Sequence, residues 1–479
     1  MDKSGVIFGN KIDKKTLKSA EKSKLKYIKK YGDDSNADYK IGYVAIPTLD
    51  FLGAKNMVFK QNSEPLDPKK SVIVGNIRMG FGHYRISMAI ASCAKALGYT
   101  PYWLDLASFD ATGSKMIREQ NAMYSMASRI SQKSRLFNHF VWEPLNCEGF
   151  KALTYNAKDQ KNSELLVPIF SSIPKETPYI ATHVWPAQAA VHAGMTNVVN
   201  AIPDNWPMAL HLAEGSIHAV QTPFAFLGYK MLNGFAKNPL KGIPENQIKM
   251  IGHYVDHELL INLEEDNKLR IQRAKNGKPA RFLLTVGGAG AGFDMFLAMV
   301  EHLLPYVQKE QASLFINFGD HKDVYEKLCA KIKLGNVTTF FNEYEKLKDF
   351  AKQLRTSDPT GIFAICNDDI FQAVYSTNLL IPECDWLVTK PSELAYYPIP
   401  KIFMRHIGGH EVYGAVHSQE FGDGTFECPS AKAVNEMLDR VLSDKDILIH
   451  FAEQINILKS QGFYNGGYEC VKLAAGESK

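Results

Sequence analysis

Three stretches of this sequence combine residues whose types and spacing suit chemistry on a bound ligand. The first, Gly80–Arg85 (GFGHYR), contains Gly80 and Gly82 and places His83 directly after them. Glycines let the backbone approach a ligand closely, and an imidazole can act as a general base near neutral pH. The stretch indicates either a catalytic histidine in a ligand-binding loop or an ordinary turn with a hydrogen-bonded surface histidine.

The second stretch is the glycine-rich loop 287–292 (GGAGAG). Backbone N–H groups in such a loop can surround a diphosphate, with the positive end of a helix dipole behind them. No Gly-Lys-Ser/Thr follows, so the loop is not a P-loop, and no acidic residue ends the next predicted strand to bind a ribose. A tight strand-to-helix turn without a ligand is the alternative. The candidate phosphate-binding residues are Gly287, Gly288, Gly290 and Gly292.

The third stretch, Thr389–Glu393 (TKPSE), is followed by Arg405–Glu411 (RHIGGHE). A carboxylate such as that of Glu393, at the end of a strand, can bind ribose or sugar hydroxyls with both oxygens. An acidic residue at a helix N-terminus, stabilised by the helix dipole, would give the same pattern. Both interpretations of Glu393 stay open.

Two histidine pairs have the i,i+4 spacing of some metal sites. His253 and His257 lie in an irregular stretch, and two glycines separate His406 from His410. Neither pair matches the H-E-x-x-H zinc motif. The sequence therefore predicts no metal site.

The three stretches lie where predicted strands end. Ser71–Gly75 predicts a strand, Ile86–Leu97 a helix and Pro101–Leu106 a second strand, which makes the first glycine loop the turn of a βαβ unit. The pattern restarts at Arg281–Val286, a strand that precedes the second glycine loop and the predicted helix Phe293–Leu304. We therefore predict an α/β fold with two Rossmann-like domains facing a central cleft. Further strands are predicted at Tyr179–Thr182, Asn197–Ile202, His218–Gln221, Lys249–Ile251, Leu314–Phe318, Gly361–Cys366, Trp386–Val388 and Lys401–Met404.

The predicted domain organisation follows changes in composition along the chain. Residues 262–280 are highly charged and lack aromatic side chains, which is typical of a linker. The predicted segments are a basic N-terminal extension (1–68), an N-terminal domain (69–261), the linker (262–280), a C-terminal domain (281–430) and C-terminal helices that pack across the domains (431–479).

Composition excludes several classes of protein. The chain has 479 residues, 45% hydrophobic and 22% charged, which is typical of globular proteins and argues against disorder and against a coiled coil. No apolar run approaches the ~18 residues of a membrane-spanning helix, and the lysine-rich start lacks the apolar stretch of a signal peptide. Seven cysteines without a C-x-x-C pair are typical of reduced thiols in a cytosolic protein.

The net charge of +4 is concentrated at the N-terminus. Residues 1–30 contain ten lysines and three acidic residues, so the remainder of the chain is slightly acidic. Nucleic acid is therefore not an expected partner, because phosphate neutralisation requires a basic surface on the fold itself. The lysine-rich start is either a solvated amphipathic arm or a tether for anionic lipid.

Several of these motifs resemble those of the GT-B glycosyltransferases. Gly80–Ser87 is similar to their glycine-histidine loop, Ile202–Leu212 to a strand that ends in aspartate with a nearby tryptophan, and Gly242–Glu258 to the run that closes their N-terminal domain. The chain most resembles the monogalactosyldiacylglycerol synthase and processive diacylglycerol glucosyltransferase family, and more distantly the lipid II-forming N-acetylglucosaminyltransferase. The resemblance covers roughly residues 70–460.

This resemblance implies an inverting transfer of a hexose from a UDP-sugar to an acceptor hydroxyl, without a cofactor or a metal. Either His83 or Asp204 would be the general base. A lipid at the cytoplasmic face of the membrane is one acceptor that the resemblance suggests. The donor-binding residues it implies are the four loop glycines with Lys390, Glu393, His410 and Glu411. The acceptor-binding residues it implies are Gly80, Gly82, Arg85 and Trp206.

Residues 123–150 interleave basic and aromatic side chains. This neighbourhood faces the membrane in the enzymes that the chain resembles, and the composition suits an anionic bilayer surface. A core helix with a charged outer face is the alternative.

The sequence also departs from the family pattern. Only Ser392 separates Glu393 from the Lys-Pro pair, where the family has a longer segment, and Phe81 stands where a glycine is common. Two other functions therefore stay open. One is a catalytically inactive GT-B protein that binds a nucleotide sugar or a partner. The other is a UDP-sugar 2-epimerase, which would need several carboxylates converging on the sugar.

Overall fold

The computed structural model describes residues 3–133, 135–142, 144–145, 149–286 and 292–477. These form two compact units: unit 1 spans residues 1–257, 408–410 and 465–479, and unit 2 spans residues 258–407 and 411–464. Each unit is built on a largely parallel sheet with helices. The predicted α/β class with two Rossmann-like domains is confirmed.

The secondary-structure elements alternate between strands and helices along most of the chain. The strands are β1 (Val6–Ile7), β2 (Asn10–Lys11), β3 (Ile41–Ala45), β4 (Lys55–Phe59), β5 (Ser71–Asn76), β6 (Thr100–Asp105), β7 (Tyr179–Ala181), β8 (Val198–Ala201), β9 (Ile217–Val220), β10 (Ile248–Met250), β11 (Ala280–Thr285), β12 (Ala312–Asn317), β13 (Val337–Phe341), β14 (Gly361–Cys366), β15 (Trp386–Thr389), β16 (Lys401–Met404) and β17 (Gly424–Cys428).

The helices are α1 (Lys14–Tyr31), α2 (Gly82–Ala96), α3 (Thr112–Lys133), α4 (Arg135–Phe137), α5 (Leu153–Ser163), α6 (Val184–His192), α7 (Pro223–Met231), α8 (His257–Leu260), α9 (Leu263–Lys275), α10 (Phe293–Gln308), α11 (Lys322–Lys331), α12 (Tyr344–Gln353), α13 (Ile370–Leu380), α14 (Val412–Phe421), α15 (Ala431–Ser443), α16 (Lys445–Ser460) and α17 (Gly466–Ala475). None of the helices within the described ranges combines the length and the apolarity needed to cross a bilayer.

In unit 1, the described strands form a sheet in the order β10-β9-β8-β7-β5-β6-β4-β3. They are parallel except that β3 runs antiparallel to β4. The central strand β5 contains the β-branched run VIV, and all of its residues are buried. The chain passes from β5 to its neighbour β6 on one side. The next strand in sequence, β7, lies on the other side of β5. This topological switch point is where open parallel sheets bind ligands.

Unit 2 repeats this plan in the order β13-β14-β12-β11-β15-β16-β17, with parallel pairing throughout the described strands. Here β11 lies between β12 and β15, which makes the gap between β11 and β15 the switch point. Of the C-terminal helices, α15 and α16 belong to unit 2, and α17 belongs to unit 1.

The first 68 residues are part of unit 1 rather than an extension beside it. Strand β4 pairs with β6, and β3 completes the edge of the same sheet. The side chain of Met57 in β4 is fully buried and shares a core with Ile73 and Tyr102. The sequence analysis missed these strands because both are short and mostly half-exposed at an edge.

The predicted linker 262–280 also differs from the structure. Most of it is helix α9, whose residue Arg270 is fully buried. The Arg270 guanidinium donates hydrogen bonds to the carbonyl oxygens of Cys384 (2.8 Å) and Ile381 (3.0 Å). Helix α9 is therefore an integral part of unit 2. Some of its charged side chains form buried ion pairs, and others are exposed to solvent.

Candidate functional site

The candidate site of unit 1 lies at the switch point of its sheet. His83 follows β5, His183 follows β7 and Asp204 follows β8, and these three strands are neighbours in the order β8-β7-β5. Parallel strands end at the same edge of a sheet, so the three side chains are brought together there. Both of the predicted catalytic residues, His83 and Asp204, belong to this group.

The local backbone fixes the position of His83 at the first turn of α2. Gly80 has a φ of 73°, a left-handed conformation that glycine adopts without strain, and α2 begins two residues later. The Nδ1–H of His83 donates to the carbonyl oxygen of Thr182 at 2.6 Å. The neutral ring therefore carries its lone pair on Nε2, which is the tautomer that a general base requires. A 2.9 Å hydrogen bond between the hydroxyls of Ser87 and Thr182 fastens the same turn of α2 to the end of β7.

His183 supports this arrangement from the start of α6. Its Nδ1 accepts a hydrogen bond from the backbone N–H of Trp185 at 3.2 Å, so it caps the helix. Its ring lies edge-on to that of His83, with 4.9 Å between the ring centroids. The side chain is 6% exposed, and burial, together with the neighbouring His83 and His211, holds the pKa of His183 well below its ordinary value. His183 is therefore a neutral ring beside the candidate base.

Asp204 supplies the carboxylate of the group and is about a third exposed (32%). Its Oδ2 accepts a hydrogen bond from Nε2 of His211 at 3.0 Å, and its Oδ1 lies 3.9 Å from Nε2 of His410. Burial raises the pKa of Asp204, but the hydrogen bond from His211 and the charges of His410, His211 and His83 outweigh it and bring the pKa below its ordinary value. Asp204 is thus an ionised carboxylate near neutral pH.

The residues predicted to bind the acceptor fall in three different environments. Gly80 and Gly82 form the turn that presents His83, with Gly82 as the first residue of α2. Trp206, two residues after Asp204, stacks on Phe224, with 6.0 Å between ring centroids and 26° between planes. Arg85 is 4% exposed on the inner face of α2. The structure therefore places the glycines beside His83, Trp206 against Phe224, and Arg85 in the interior.

Of the residues predicted to bind the donor, Gly292 lies between β11 and α10, Lys390 and Glu393 follow β15, and Glu411 follows β16. Gly287, Gly288 and Gly290 lie outside the described residues. Gly292 has a φ of 79° and precedes the first residue of α10. Strand β11 ends at Thr285 and helix α10 begins at Phe293, so the predicted strand and helix lie on either side of the glycine stretch.

Beyond β15, the ammonium group of Lys390 lies 2.5 Å from Oε1 of Glu411. The other oxygen, Oε2, accepts a hydrogen bond from the backbone N–H of Ile407 at 2.9 Å. Glu393 begins a short 3₁₀ helix, Glu393–Tyr396. The structure brings Lys390 and Glu411 together, and it groups His410 with Asp204 in unit 1.

Sequence reasoning missed His183 and His211, which flank the two predicted catalytic residues. The available signal was positional: His183 follows the predicted strand Tyr179–Thr182 directly, as His83 follows the loop after β5. It also missed the pairing of His406, whose Nδ1 contacts both carboxylate oxygens of Glu427, at 2.8 and 2.9 Å.

The histidines considered as metal ligands have other partners. His257 hydrogen-bonds through Nδ1 to the hydroxyl of Tyr468 at 2.5 Å, and His406 binds Glu427. Among the described residues, no group of three or more His, Cys, Asp or Glu side chains is arranged to hold a metal ion. Metal-independent chemistry stays a prediction.

Comparison with known proteins gives matches to both halves of the chain. Residues 6–231 match the family model described as a domain of unknown function (DUF6937), and residues 243–475 match a second one (DUF6938). Both halves match domains of unknown function. A comparison with curated proteins gave no match.

Several solved structures are similar to this chain, each with a TM-score below 0.5. UDP-GlcNAc 2-epimerase from Neisseria meningitidis, bound to UDP-GlcNAc, is 11% identical, with coverage of 84% of this chain and 98% of that chain and a TM-score of 0.46. The S. aureus MnaA–UDP structure is 12% identical, with coverage of 80% and 91% and a TM-score of 0.43. An O-GlcNAc transferase mutant from Thermobaculum terrenum is 8% identical, with coverage of 95% and 76% and a TM-score of 0.32. These are similarities of fold.

Proposed function

We propose that this protein is an inverting glycosyltransferase that moves a hexose from a UDP-sugar to an acceptor hydroxyl, with His83 as the general base. The observation that carries the proposal is the 2.6 Å hydrogen bond from Nδ1–H of His83 to the carbonyl oxygen of Thr182. This bond fixes the ring at a switch point and leaves Nε2 as the proton acceptor. The motif resemblance at Gly80–Ser87 supports the same role.

The proposed reaction is a single displacement at the anomeric carbon. Nε2 of His83 takes the proton of the acceptor hydroxyl as its oxygen attacks the anomeric carbon. The bond between that carbon and the diphosphate oxygen breaks, and UDP leaves with the bonding electrons. The ionised Asp204 stabilises the cationic imidazole that forms, because its pKa keeps it charged throughout the working range. Neutral His183, packed edge-on, restricts rotation of the His83 ring.

The residues of unit 2 are proposed to hold the donor. Gly292 and the N-terminus of α10 would offer backbone donors and a positive dipole to the diphosphate. The Lys390–Glu411 pair would position a cation and a carboxylate for the nucleotide sugar, and Glu393 would bind the ribose. Each of these roles comes from the motif resemblance and from the position of the residues after β11, β15 and β16.

A lipid acceptor is the finer part of the proposal, and residues 123–145 support it. Within this segment, eight large hydrophobic side chains are between 37% and 73% exposed. Single exposed apolar residues are ordinary, but a concentration in one segment is typical of a surface that meets a membrane or a partner. The exposed residues are Met123, Tyr124, Met126, Ile130, Leu136, Phe140, Val141 and Leu145.

The first test is thermal unfolding of the purified protein with UDP, GDP, dTDP, CMP and their common sugar conjugates. A ligand at about 100 times its Kd stabilises the folded state by roughly 2.7 kcal/mol, which shifts the melting temperature by a few degrees. We expect stabilisation by UDP and UDP-sugars, and a reduced shift in Lys390→Met, compared with Lys346→Met as a surface control. No response to any nucleotide would contradict a donor site in unit 2.

The second test follows the stabilising UDP-sugar by NMR, with and without lipid extracts or soluble alcohols as acceptors. Transfer predicts UDP release that depends on the acceptor and a product of inverted anomeric configuration. If the sugar is converted to its 2-epimer without an acceptor, the protein is a UDP-sugar 2-epimerase and not a transferase. Binding without any reaction would favour the inactive nucleotide-sugar binder.

A further inference from the structure

Helix α2 has a second anchor at its first turn, which the chemistry above does not use. The hydroxyl of Tyr84 donates a hydrogen bond to Oδ2 of Asp105 at 2.7 Å. Tyr84 comes directly after His83 in the chain, and Asp105 is the last residue of β6. Tyr84 is 5% exposed and Asp105 is 8% exposed, so this hydrogen bond is shielded from water.

The carboxylate of Asp105 is held by more than one donor. Its Oδ1 accepts a hydrogen bond from the backbone N–H of Ala107 at 2.9 Å. Burial raises the pKa of Asp105, and the hydrogen bonds that it accepts, together with the nearby charge of Arg78, oppose this rise. Burial and the neighbouring Asp105 raise the pKa of Tyr84, so its hydroxyl keeps the proton and is the donor. Asp105 is therefore a fixed acceptor at the end of β6.

The two anchors of α2 lie on opposite sides of the central strand β5. Asp105 pairs in the sheet with the last residue of β5. Thr182 directly follows β7, which is the neighbour of β5 on the other side. Helix α2 is therefore bound to the β7 side through His83 and to the β6 side through Tyr84.

Together, the two anchors fix the rotation of α2 about its own axis. Consecutive residues of an α-helix point in directions about 100° apart, so His83 and Tyr84 reach two different sides. With either anchor alone, the helix could turn around the remaining contact. The first turn also needs this support because its N-cap residue is Phe81, whose side chain cannot accept a hydrogen bond from the helix N-terminus.

We propose that Tyr84 and Asp105 are positioning residues, which hold the first turn of α2 so that Nε2 of His83 faces the acceptor hydroxyl. They act through the helix and take no part in proton transfer, since both are buried and bound to each other. The inference rests on the proposed function, in which His83 is the base. Its orientation matters because a misplacement of about 1 Å can slow a reaction about a hundredfold.

The variant Tyr84→Phe removes the hydroxyl and little else. The ring of Tyr84 packs edge-on against Trp103, with 4.9 Å between the ring centroids, and phenylalanine keeps this contact. A buried hydrogen bond also stabilises the fold, so some loss of stability is expected whatever the pair does. The deciding measurements must therefore report on His83 itself.

The first measurement is ¹⁵N NMR of the full-length protein with labelled histidine, which needs no substrate. The signal of His83 is identified by its loss in His83→Gln. At a pH where the ring is neutral, the wild type should carry the proton on Nδ1, as the hydrogen bond to Thr182 requires. In Tyr84→Phe this bond should weaken, and the tautomer with the proton on Nε2 should appear.

The second measurement is kinetic and uses the donor and acceptor that the nucleotide screen identifies. Tyr84→Phe should lower kcat by about 10- to 100-fold. KM should stay unchanged, because only the orientation of the base is affected. Asp105→Asn should also lower kcat, and the double variant should lose less than the two single effects multiplied together, because both changes act on one hydrogen bond.

The matched control is Tyr306→Phe in unit 2, which removes a hydroxyl that donates to Asp439 at 2.8 Å. It should leave the His83 signal and kcat unchanged. The inference is overturned if Tyr84→Phe loses only stability and keeps the wild-type signal and kcat. A lower kcat with an unchanged His83 signal, or a changed signal with wild-type kcat, would overturn it as well.

NMR separates this inference from the proposed function. A changed His83 signal in Tyr84→Phe, in a protein that transfers no sugar, would overturn the transferase and leave the pair as the support that orients His83. Transfer by the wild type at an equal rate in Tyr84→Phe would overturn the positioning role alone. Circular dichroism of each variant would establish that the fold is intact.

Discussion

Two clusters of polar side chains lie at opposite ends of their parallel sheets. The histidine–aspartate cluster of unit 1 (His83, His183, Asp204 and His211) follows the carboxyl ends of the strands. The arginine cluster of unit 2 (Arg270, Arg273, Arg281 and Arg355, with their acidic partners) lies at the amino ends, where Arg281 is the second residue of β11 and Asp385 precedes β15. Both are largely buried, yet they use hydrogen bonds differently.

In the arginine cluster, hydrogen bonds and ion pairs tie the charged groups to one another and to the backbone. The Arg281 guanidinium donates to three carbonyl oxygens and to the carboxylate of Asp358, and Asp385 binds both Arg273 (2.6 Å) and the backbone N–H of Arg281 (2.9 Å). Such a network fixes α9 and the neighbouring loops to the sheet. Its burial and its many bonds to the backbone are typical of a structural role.

In the histidine–aspartate cluster, hydrogen bonds orient the side chains, and these side chains can still accept a proton. The Nδ1–H of His83 is used, which leaves a lone pair on Nε2, and Asp204 keeps a third of its surface exposed. The comparison shows what distinguishes a cluster suited to catalysis. Some atoms of each side chain are fixed by hydrogen bonds, and other atoms of the same side chain can take part in a reaction. Burial and perturbed pKa values alone would not separate the two clusters.

The largest expected effect is on turnover, from His83→Gln. Glutamine can keep a hydrogen bond to Thr182 but cannot accept the proton, so the rate of transfer should fall by about 10²–10⁴-fold. The melting temperature should change little, because His83 is only half-buried. The measurement is kcat with the donor and acceptor identified by the nucleotide screen.

His302→Gln is the matched control for His83→Gln, because His302 is a partly exposed histidine bound to Asp439 in unit 2. It should leave kcat unchanged. If His83→Gln keeps wild-type turnover while Asp204→Asn loses it, Asp204 is the base, which is the alternative that the sequence left open.

The second effect is on stability, from Arg281→Met. Removing this buried guanidinium leaves three carbonyl oxygens without their donor and removes one of the two cations that pair with Asp358, so unfolding should become easier by about 3–5 kcal/mol. Lys327→Met removes a cation that is 63% exposed and pairs with the exposed Asp323, so it should cost at most about 1 kcal/mol. Urea unfolding followed by circular dichroism measures both. Equal costs for the two variants would mean that burial does not set the role of this cluster.

The sequence predicted the buried strands better than the edges of the fold. The strand Lys401–Met404 matches β16, and Ser71–Gly75 lies within β5, because central parallel strands are continuous apolar runs. The helix predicted at Phe293–Leu304 was expected to end before Pro305. This end was wrong, since α10 continues to Gln308. A proline so close to a helix end removes only one backbone hydrogen bond, a loss that the surrounding core tolerates.

For the candidate site, sequence motifs identified His83 and Asp204 but not the residues around them. His183 and His211 lie in stretches without glycine loops, and no local pattern sets them apart. Only the strand order β8-β7-β5 shows that these segments converge. The strand order depends on pairing between segments that are far apart in the chain, and a single sequence is a weak guide to such pairing.

The smallest expected effect concerns pH and the neutral state of His183. Its pKa is depressed in the folded protein, so the unfolded chain binds a proton near pH 6.5 while the folded chain does not. The stability contributed by the neutral ring is therefore present above pH 6.5 and is lost as the pH falls below it. Between pH 7 and pH 6, this residue should lower the free energy of unfolding by about 0.7 kcal/mol.

His183→Asn isolates that contribution, because asparagine can cap α6 but does not titrate. The fall in stability between pH 7 and pH 6, measured by urea unfolding, should be about 0.7 kcal/mol smaller in this variant than in the wild type. His218, buried in the same unit with its pKa lowered to about 4, stays in both proteins and contributes equally to each. An unchanged fall would mean that His183 binds a proton as readily in the folded protein as in the unfolded chain. A cation beside His83 would then oppose its protonation, and the proposed base would have to be Asp204.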